Sequence, residues 1–333
     1  MYTAIVTGGL GFIGSNLINF LSEKKFKIIN IDKVSYSSNF KNIKENINNY
    51  KFYKLDINNK KKFYKIVKLY KPNVIFNLAA ETHVDRSIDK PIEFIKSNYI
   101  GLFFVLETLK KLKNKCLLIQ VSTDEVYGDV KKKSNESDKL NPSSPYSATK
   151  AASDLLIKSY IRSFGVKAII TRCCNNFGPN QFPEKFIPNS IYKILNNDKI
   201  PIYSKGKNIR EWIYVKDHCR ALYQIFKKGK SGEIYNIGTG NLINNYNLAK
   251  KIIKIFEKIR DKKFKKKLIS FVKDRPGHDF KYSLNLSKIK KIIRIKRNNF
   301  EIDLKKTIEW YLVNYKNNYF PKKLLGVRQG LLK

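Results

Sequence analysis

Over its first half the chain alternates short apolar runs with amphipathic stretches. Runs at residues 3–6, 27–31, 51–54, 74–78, 117–121 and 167–171 predict strands. Between them, apolar residues recur at three- and four-residue spacing over 15–23, 60–70, 91–111 and 147–164, which predicts helices. Strand, helix and strand in this order build a parallel, doubly wound sheet with helices on both faces.

Beyond about residue 175 the rhythm becomes irregular, with Pro179, Pro183, Pro188, Pro201 and the cluster Arg275-Pro276-Gly277-His278. Apolar spacing still predicts helices over 188–196, 215–226, 247–258 and 304–315. The expectation is an α/β chain in two parts. Residues 1–175 form the sheet domain, and 176–333 form mainly a smaller α/β lobe over the sheet's crevice, with some segments returning to the first domain. No flexible linker divides them, so one rigid body is expected.

The chain of 333 residues carries a formal charge of +40. Clustered cations would suggest a nucleic-acid partner, but here the excess is mostly Lys, spread along the chain among Asn and Ile. Runs such as Lys60-Lys61-Lys62 and Lys131-Lys132-Lys133 fall between periodic segments, where solvated loops and helix ends lie. No specific nucleic-acid partner is expected. No run is apolar enough to span a membrane, and Met1-Tyr2-Thr3 passes directly into Ala4-Ile5-Val6, so a soluble cytoplasmic protein is expected. Cys116, Cys173, Cys174 and Cys219 have neither CxxC spacing nor a nearby His pair, which predicts reduced, largely buried thiols and no metal site.

Candidate chemistry concentrates where strands are predicted to end. Thr7-Gly8-Gly9-Leu10-Gly11-Phe12-Ile13-Gly14-Ser15 follows the first strand and opens the first helix. Gly8 suits the tight turn, Gly11 a close approach of backbone to a pyrophosphate, and Gly14 close helix packing. With Phe12 and Ile13 these residues form a dinucleotide-binding turn of the Rossmann type. Asp32 closes the second strand, eighteen residues after Gly14. Its carboxylate suits ribose hydroxyls and repels a 2′-phosphate, which favours NAD over NADP; the adjacent cation Lys33 weakens that preference. Asp56 and Ile57 either bracket the adenine or simply end the third strand.

The run Ser122-Thr123-Asp124-Glu125 follows the fifth predicted strand, where side chains face the crevice of an open α/β sheet. Read alone, it is either an active-site loop or a solvated acidic turn. Tyr146 and Lys150, four apart on a predicted helix, project from one face. An ammonium beside a phenol lowers its pKa, so the pair predicts Tyr146 as a general base.

With these motifs the chain resembles the extended short-chain dehydrogenase/reductases, and among them the nucleotide-sugar 4,6-dehydratases. The resemblance spans nearly the whole chain: TGGLGFIGSN at 7–16, NLAAETHVDRSI at 77–88, STDEVYG at 122–128 and PYSATKAASD at 145–154. It continues through CNNFGPNQFPEKFIP at 174–188, IREWIYVKDH at 209–218 and DRPGHD at 274–279. Cys174, where the family commonly has Ser, and Ser37-Ser38, where it commonly has Ala-Gly, are departures. The Asp-Glu pair resembles glucose-nucleotide dehydratases, since C4 epimerases usually lack both acids.

The resemblance implies a homodimeric, NAD-dependent lyase that converts dTDP-glucose or UDP-glucose to its 4-keto-6-deoxy form, as in rhamnose and other deoxysugar biosynthesis. A C4 epimerase and a noncatalytic NAD-binding protein are the alternatives. Tyr146 would take the C4 hydroxyl proton with Thr123 holding that oxygen, Glu125 would remove the C5 proton, and a protonated Asp124 would donate to the departing C6 hydroxyl. Ala79, Ala80, Thr82, Ser97 and Asn176 would join Tyr146 and Lys150 around NAD. Asn175, Lys185, Arg210, Asn245, Arg275 and His278 would hold the nucleotide diphosphate, with Phe186 and Ile202-Tyr203 near the base. On the residues alone, Lys185 can also be a surface lysine, Asn245 part of an Asn-rich turn and His83 a structural histidine.

Overall fold

The computed structural model describes residues 1–112, 116–261, 263–293, 299–317 and 319–320. The apolar runs of the first half become strands β1 (Thr3–Thr7), β2 (Lys27–Asp32), β3 (Tyr50–Lys54), β4 (Val74–Asn77), β5 (Leu117–Thr123) and β6 (Ala168–Cys173). A seventh strand, Ile234–Ile237, returns from the second half to the sheet edge beside β6. The order is Ile234–Ile237, β6, β5, β4, β1, β2, β3, and every pairing is parallel. Chain direction across the sheet reverses between β1 and β4, so the C-terminal ends of these strands flank the crevice where ligands of open α/β sheets bind.

Alternation along the strands divides the core in two. Ile5, Ile29, Ile75, Leu118 and Ile170 pack beneath Phe63, Leu102, Leu106 and Ile157 on one face. Ala4, Val6, Ile28, Phe76 and Ile169 pack beneath Leu17, Leu21, Leu222 and Ile225 on the other. Burial on both faces explains why these strands read as continuous apolar runs.

Two elements depart from the expected pattern, both beside the crevice. The single helix predicted over 91–111 is instead Pro91–Phe94, a wider π turn at Ile95–Ile100 and Gly101–Lys111. The widened turn buries Ser97 and Asn98. Asn98 then spans to the Glu81 backbone at 2.8 and 3.0 Å and receives no competition from solvent, donating also to the Thr149 hydroxyl at 3.0 Å. Such turns are frequent at functional sites. The second departure is β5, which runs on through Thr123, so that Asp124–Tyr127 forms a one-turn 3₁₀ helix where a loop is predicted. Thr123 caps that turn by accepting from the Glu125 amide at 3.2 Å.

The helix Pro145–Phe164 starts two residues earlier than its apolar spacing indicates, because Ser144 and Ser147 form a reciprocal capping box with Pro145 in the first turn. In the second half, Asn175–Phe177, Ile209–Tyr214 and Leu242–Asn244 form a three-stranded sheet, and Ile200–Tyr203 pairs with Ile269–Val272. The helices Phe186–Leu195, Asn245–Arg260 and Phe300–Lys316 bury Ile191, Ile252 and Ile308 against Trp212. The helix Val215–Lys228 packs instead beside Phe12–Glu23 on the main sheet. Residues 321–333 of the expected second lobe lie outside the described residues. Among the described residues no helix is long and apolar enough to cross a membrane.

Candidate active site

The crevice is a cleft of about 330 Å³ between the strand ends and the second lobe. Its wall includes Gly8, Gly11, Phe12, Ile13, Gly14, Asp32, Lys33, Asp56, Ile57, Ala79, Ala80, Thr82 and Ser97. Thr123, Glu125, Tyr146, Lys150, Asn175, Asn176, Lys185 and Phe186 complete the predicted set that reaches it. Asp124, Arg210, Asn245, Arg275 and His278 do not line this wall.

Close backbone approach shapes the glycine turn. Gly8 has φ +69°, and a Cβ on Gly14 would lie 2.2 Å from the Gly8 carbonyl oxygen. Gly14 therefore lets the start of the helix close onto the turn that follows β1. Gly9, given no role by the motif, packs so tightly on Asn30 that a Cβ would lie 2.1 Å from its side-chain oxygen. Asp32 is buried and held by the Leu10 and Val34 amides at 3.0 and 2.7 Å and by the Ser38 hydroxyl at 3.0 Å. Ser38, a family departure, thus buttresses the acid. Lys33 pairs with Glu81 at 2.8 Å, and Asp56 accepts from the Asn58 amide at 2.8 Å while remaining exposed.

Tyr146 is held by the edge of Phe94 and by Val84, with its hydroxyl within hydrogen-bonding reach of Thr123. Burial, then the charge of Glu125, raises the phenol above its ordinary range, which corrects the expectation that Lys150 lowers it. The reason is that the Lys150 ammonium is spent on the Val121 carbonyl at 2.6 Å, and its own burial brings it down to about 8. Asp154, four residues further on the same helix, raises Lys150 against that burial and pairs with Arg172 at 2.9 Å. Arg172 donates in turn to the Tyr127 hydroxyl at 2.9 Å. Spacing along the Lys150 face was the signal that could have found Asp154.

The acids are unequal. Asp124 is 2 % exposed, one of its oxygens has no hydrogen-bond partner, and the other receives only the Thr123 hydroxyl at 3.3 Å. Burial, then Glu125 and Glu211, raises its carboxyl well above the ordinary range, which favours its neutral form. Glu125 is also raised by burial, but Arg275, Lys185 and Arg210 pull it back toward its anion. Burial thus raises both carboxyls, and nearby cations oppose the rise more at Glu125 than at Asp124.

The second-lobe cations stand behind Glu125 with protein partners of their own. Arg275 pairs with Asp85 at 2.9 Å, and Tyr203 donates to the other oxygen of that carboxylate at 2.9 Å. Arg210 donates to the Asp279 carbonyl at 2.8 Å and the Phe280 carbonyl at 3.1 Å, with Tyr282 beneath its guanidinium. His278 faces Asp274 at 2.7 Å, and burial with the Arg275 charge brings its imidazole down to about 4. Lys185 donates to the Thr82 carbonyl at 2.7 Å. Asn245 begins a helix, its amide bonded to the Asn208 carbonyl at 3.1 Å. His83 caps Val84–Asp89 through Nδ1, which is the structural reading of that histidine. Residues the motifs did not single out also line the cleft, among them Glu184, bonded by the Tyr36 hydroxyl at 2.9 Å, and His218.

Parallel sheet, glycine turn and Tyr-x-x-x-Lys helix define a Rossmann-type fold of the extended short-chain dehydrogenase/reductase kind. Within that class, the chain belongs to the family described as GDP-mannose 4,6 dehydratase, whose model matches residues 5–301. A dTDP-glucose 4,6-dehydratase from Escherichia coli is 40 % identical over 338 residues, 93 % of each chain. The chain is similar to the dTDP-glucose 4,6-dehydratase of Bacillus anthracis str. Ames solved with NAD, at TM-score 0.87 and 38 % identity, covering 97 % of this chain and 100 % of that one. It is similar also to the Streptomyces venezuelae enzyme of that name, solved with NAD bound, at TM-score 0.88 and 34 % identity over 97 % of this chain and 99 % of that one.

Proposed function

We propose that this chain is an NAD-dependent lyase that dehydrates dTDP-glucose to the 4-keto-6-deoxy nucleotide sugar used in deoxysugar biosynthesis. The observation that carries this reading is the Thr123-Asp124-Glu125 turn, with a buried Asp124 whose carboxyl is raised well above its ordinary range beside a Glu125 on which three cations oppose the rise. An epimerase has no water to remove and no use for that acid.

The cleft fits NAD. Gly8 and Gly14 keep the turn too tight for a Cβ, which would meet the backbone of Ala79 or of Gly8, and the helix Phe12–Glu23 begins on the cleft wall, where its N-terminal amides suit a pyrophosphate. Asp32 stands at the end of β2 for a ribose, and the cation beside it, Lys33, is engaged by Glu81. This favours a free 2′-hydroxyl over a 2′-phosphate. Bound there, NAD would supply the hydride acceptor for oxidation at C4 and the hydride donor for reduction at C6.

The chain's own groups manage protons and position. Tyr146 takes the proton of the C4 hydroxyl, with Thr123 orienting that oxygen. Lys150, anchored on the Val121 carbonyl, shares the helix face of Tyr146 and lines the cleft beside it. Glu125 removes the C5 proton, made acidic by the ketone, and Asp124 supplies a proton to the departing C6 oxygen. Arg275, Arg210, Lys185 and Asn175 hold the diphosphate, with His278, Asn245 and Phe186 toward the nucleoside. Residues 1–175 would supply most of the cofactor and catalytic groups, and the later residues most of the nucleotide-sugar contacts.

Ile92 and Ile95 on the helical segments from Pro91 to Ile100, and Leu155 and Phe164 on Pro145–Phe164, are exposed on elements that pack side by side. Two copies burying these faces would form a four-helix homodimer, and Leu155→Asp should shift the molar mass by light scattering to that of a monomer. Four free, buried thiols suit a reducing compartment such as the cytoplasm. Incubation with dTDP-glucose and with UDP-glucose tests the main reading. A keto-sugar absorbing in alkali, formed faster from dTDP-glucose, supports it; dTDP-galactose with no keto-sugar overturns it.

A further inference from the structure

Cys173 ends β6 on the cleft wall, among groups that the proton transfers above do not use. Asn176 donates from Nδ2 to the Cys173 sulfur at 3.3 Å and to the Cys174 carbonyl at 3.0 Å, and its Oδ1 faces His218 Nδ1 at 2.8 Å. The amide predicted to contact the cofactor is therefore committed to this cluster. His218 has no exposed surface, and its Nε2 has no hydrogen-bond partner. A fully buried imidazole set against a buried sulfur, with Nε2 lacking any other partner, calls for a reason beyond packing.

We propose that Cys173, set among His218, Asn176 and Cys174, is a nucleophilic thiol and a modification site for small soft electrophiles, placed where a bound dinucleotide covers it. Only the covering rests on the reading of the cleft as an NAD site. Cys116 supplies the contrast within the same molecule: burial takes that thiol up to about 12. Burial opposes ionisation of Cys173 as well, but the hydrogen bond from Cys174 and the electrostatic pull of His218 outweigh it, leaving the thiol below its ordinary range. Cys174 moves the other way, raised by burial and by its neighbour. Cys173, 4 % exposed, lines the cleft beside His218, whereas Cys116, equally buried, packs in the core and lines no part of the cleft.

With iodoacetamide as the probe, the Cys173 thiolate pair forms a C–S bond to the methylene carbon as the C–I bond breaks. Iodide leaves, and the thiol proton has already passed to solvent. Raw speed at neutral pH is a poor test, because lowering a thiol's pKa raises its ionised fraction but reduces its nucleophilicity. The pH profile is decisive. An ordinary thiol of pKa ~8.5 gains roughly 75-fold in ionised fraction between pH 6 and pH 8, whereas an already ionised one gains almost nothing.

Full-length protein freed of nucleotide on charcoal is labelled and each cysteine is followed by peptide mass spectrometry. Cys173 should react first, with its rate changing less than about twofold from pH 6 to pH 8, and His218→Gln should restore the steep rise. NAD at about ten times its dissociation constant should slow labelling about 10-fold, because only the unliganded fraction reacts. A steep profile in the unaltered protein, or Cys116 reacting as fast as Cys173, overturns the proposal whatever the protein does with sugars. A flat profile that NAD leaves unchanged overturns the placement beneath the dinucleotide, while the turnover assay with dTDP-glucose still decides the function.

Discussion

The two walls of the cleft are built on different principles. On the sheet side, shape is set by backbone: glycines at van der Waals limits, amides at a helix start and one acid pinned by two amides and a hydroxyl. On the lobe side, Lys185 at the cleft and Arg275 and Arg210 outside its lining are long cations already engaged within the protein, Arg275 by Asp85, Arg210 by three backbone carbonyls and Lys185 by a fourth. A ligand meeting the first wall finds a preformed mould. An anion meeting the second must take cations from partners they already have, so its binding trades one set of charge-assisted hydrogen bonds for another. The first wall should therefore fail abruptly under substitution, and the second should weaken by degrees.

The largest effect is expected at Gly14. An alanine Cβ there would lie 2.2 Å from the Gly8 oxygen, a backbone atom that cannot move without opening the turn. Gly14→Ala should abolish NAD retention, measured as nucleotide released on denaturation, and destabilise the fold by about 1–3 kcal/mol as overpacking does.

Asp124, between the cleft-lining Thr123 and Glu125, should give the next largest effect. Asp124→Asn should lower turnover by about 10²–10⁴-fold, the usual contribution of a positioned acid, while bound NADH from C4 oxidation still accumulates. Its stability should change in the opposite sense. A carboxyl raised above its unfolded value binds its proton more tightly in the native state, so that stability is present below the unfolded pKa near 4 and is lost as pH rises toward the folded value. The Asn variant has no proton to lose. It should melt higher than the parent at pH 7 by a few degrees, and the difference should vanish at pH 4. A variant that melts lower at both pH values would show that the carboxyl is not held neutral.

On the lobe side, Arg275→Ala should raise KM for dTDP-glucose by about 10–100-fold, as loss of a charge-assisted hydrogen bond does, and leave NAD retention unchanged. Substrate titration and nucleotide release on the same preparation check both. Equal loss of the two would mean that the walls are not separable.

How far these walls were legible in the sequence follows from how each is made. Gly8, Gly14 and Asp32 sit at fixed offsets from a strand and a helix, and residue type alone reports a backbone constraint. Tyr146 and Lys150 share a helix face by periodicity, so their meeting was also readable. What Lys150 does there was not, because the Val121 carbonyl that holds it lies on another strand. The π turn that buries Ser97 and Asn98 replaces an uninterrupted apolar pattern, and the seventh strand comes from a short run inside the irregular half; both depend on tertiary packing more than local propensity. The Arg275–Asp85 pair, 190 residues apart, was invisible as a pair although each residue stood in a recognised motif.

The smallest effect bears on Lys33, a cation on the backbone-built wall. Lys33 follows Asp32 and would be the natural partner for a 2′-phosphate, but Glu81 holds it at 2.8 Å with the lysine side chain 38 % exposed. An exposed pair of this kind is worth about 0.2–1 kcal/mol, so removing Glu81 frees the cation at little structural cost. Glu81→Ala should leave NAD affinity within about twofold and strengthen NADP binding by about 2–5-fold, the same energy expressed as an equilibrium, with the gain fading as salt screens the exposed charge. Fluorescence titration of both nucleotides at low and high ionic strength reads the effect. If NADP binding does not improve, the exclusion of the 2′-phosphate lies wholly with the Asp32 carboxylate, and the sheet-side wall discriminates between cofactors without any contribution from a free or captive cation.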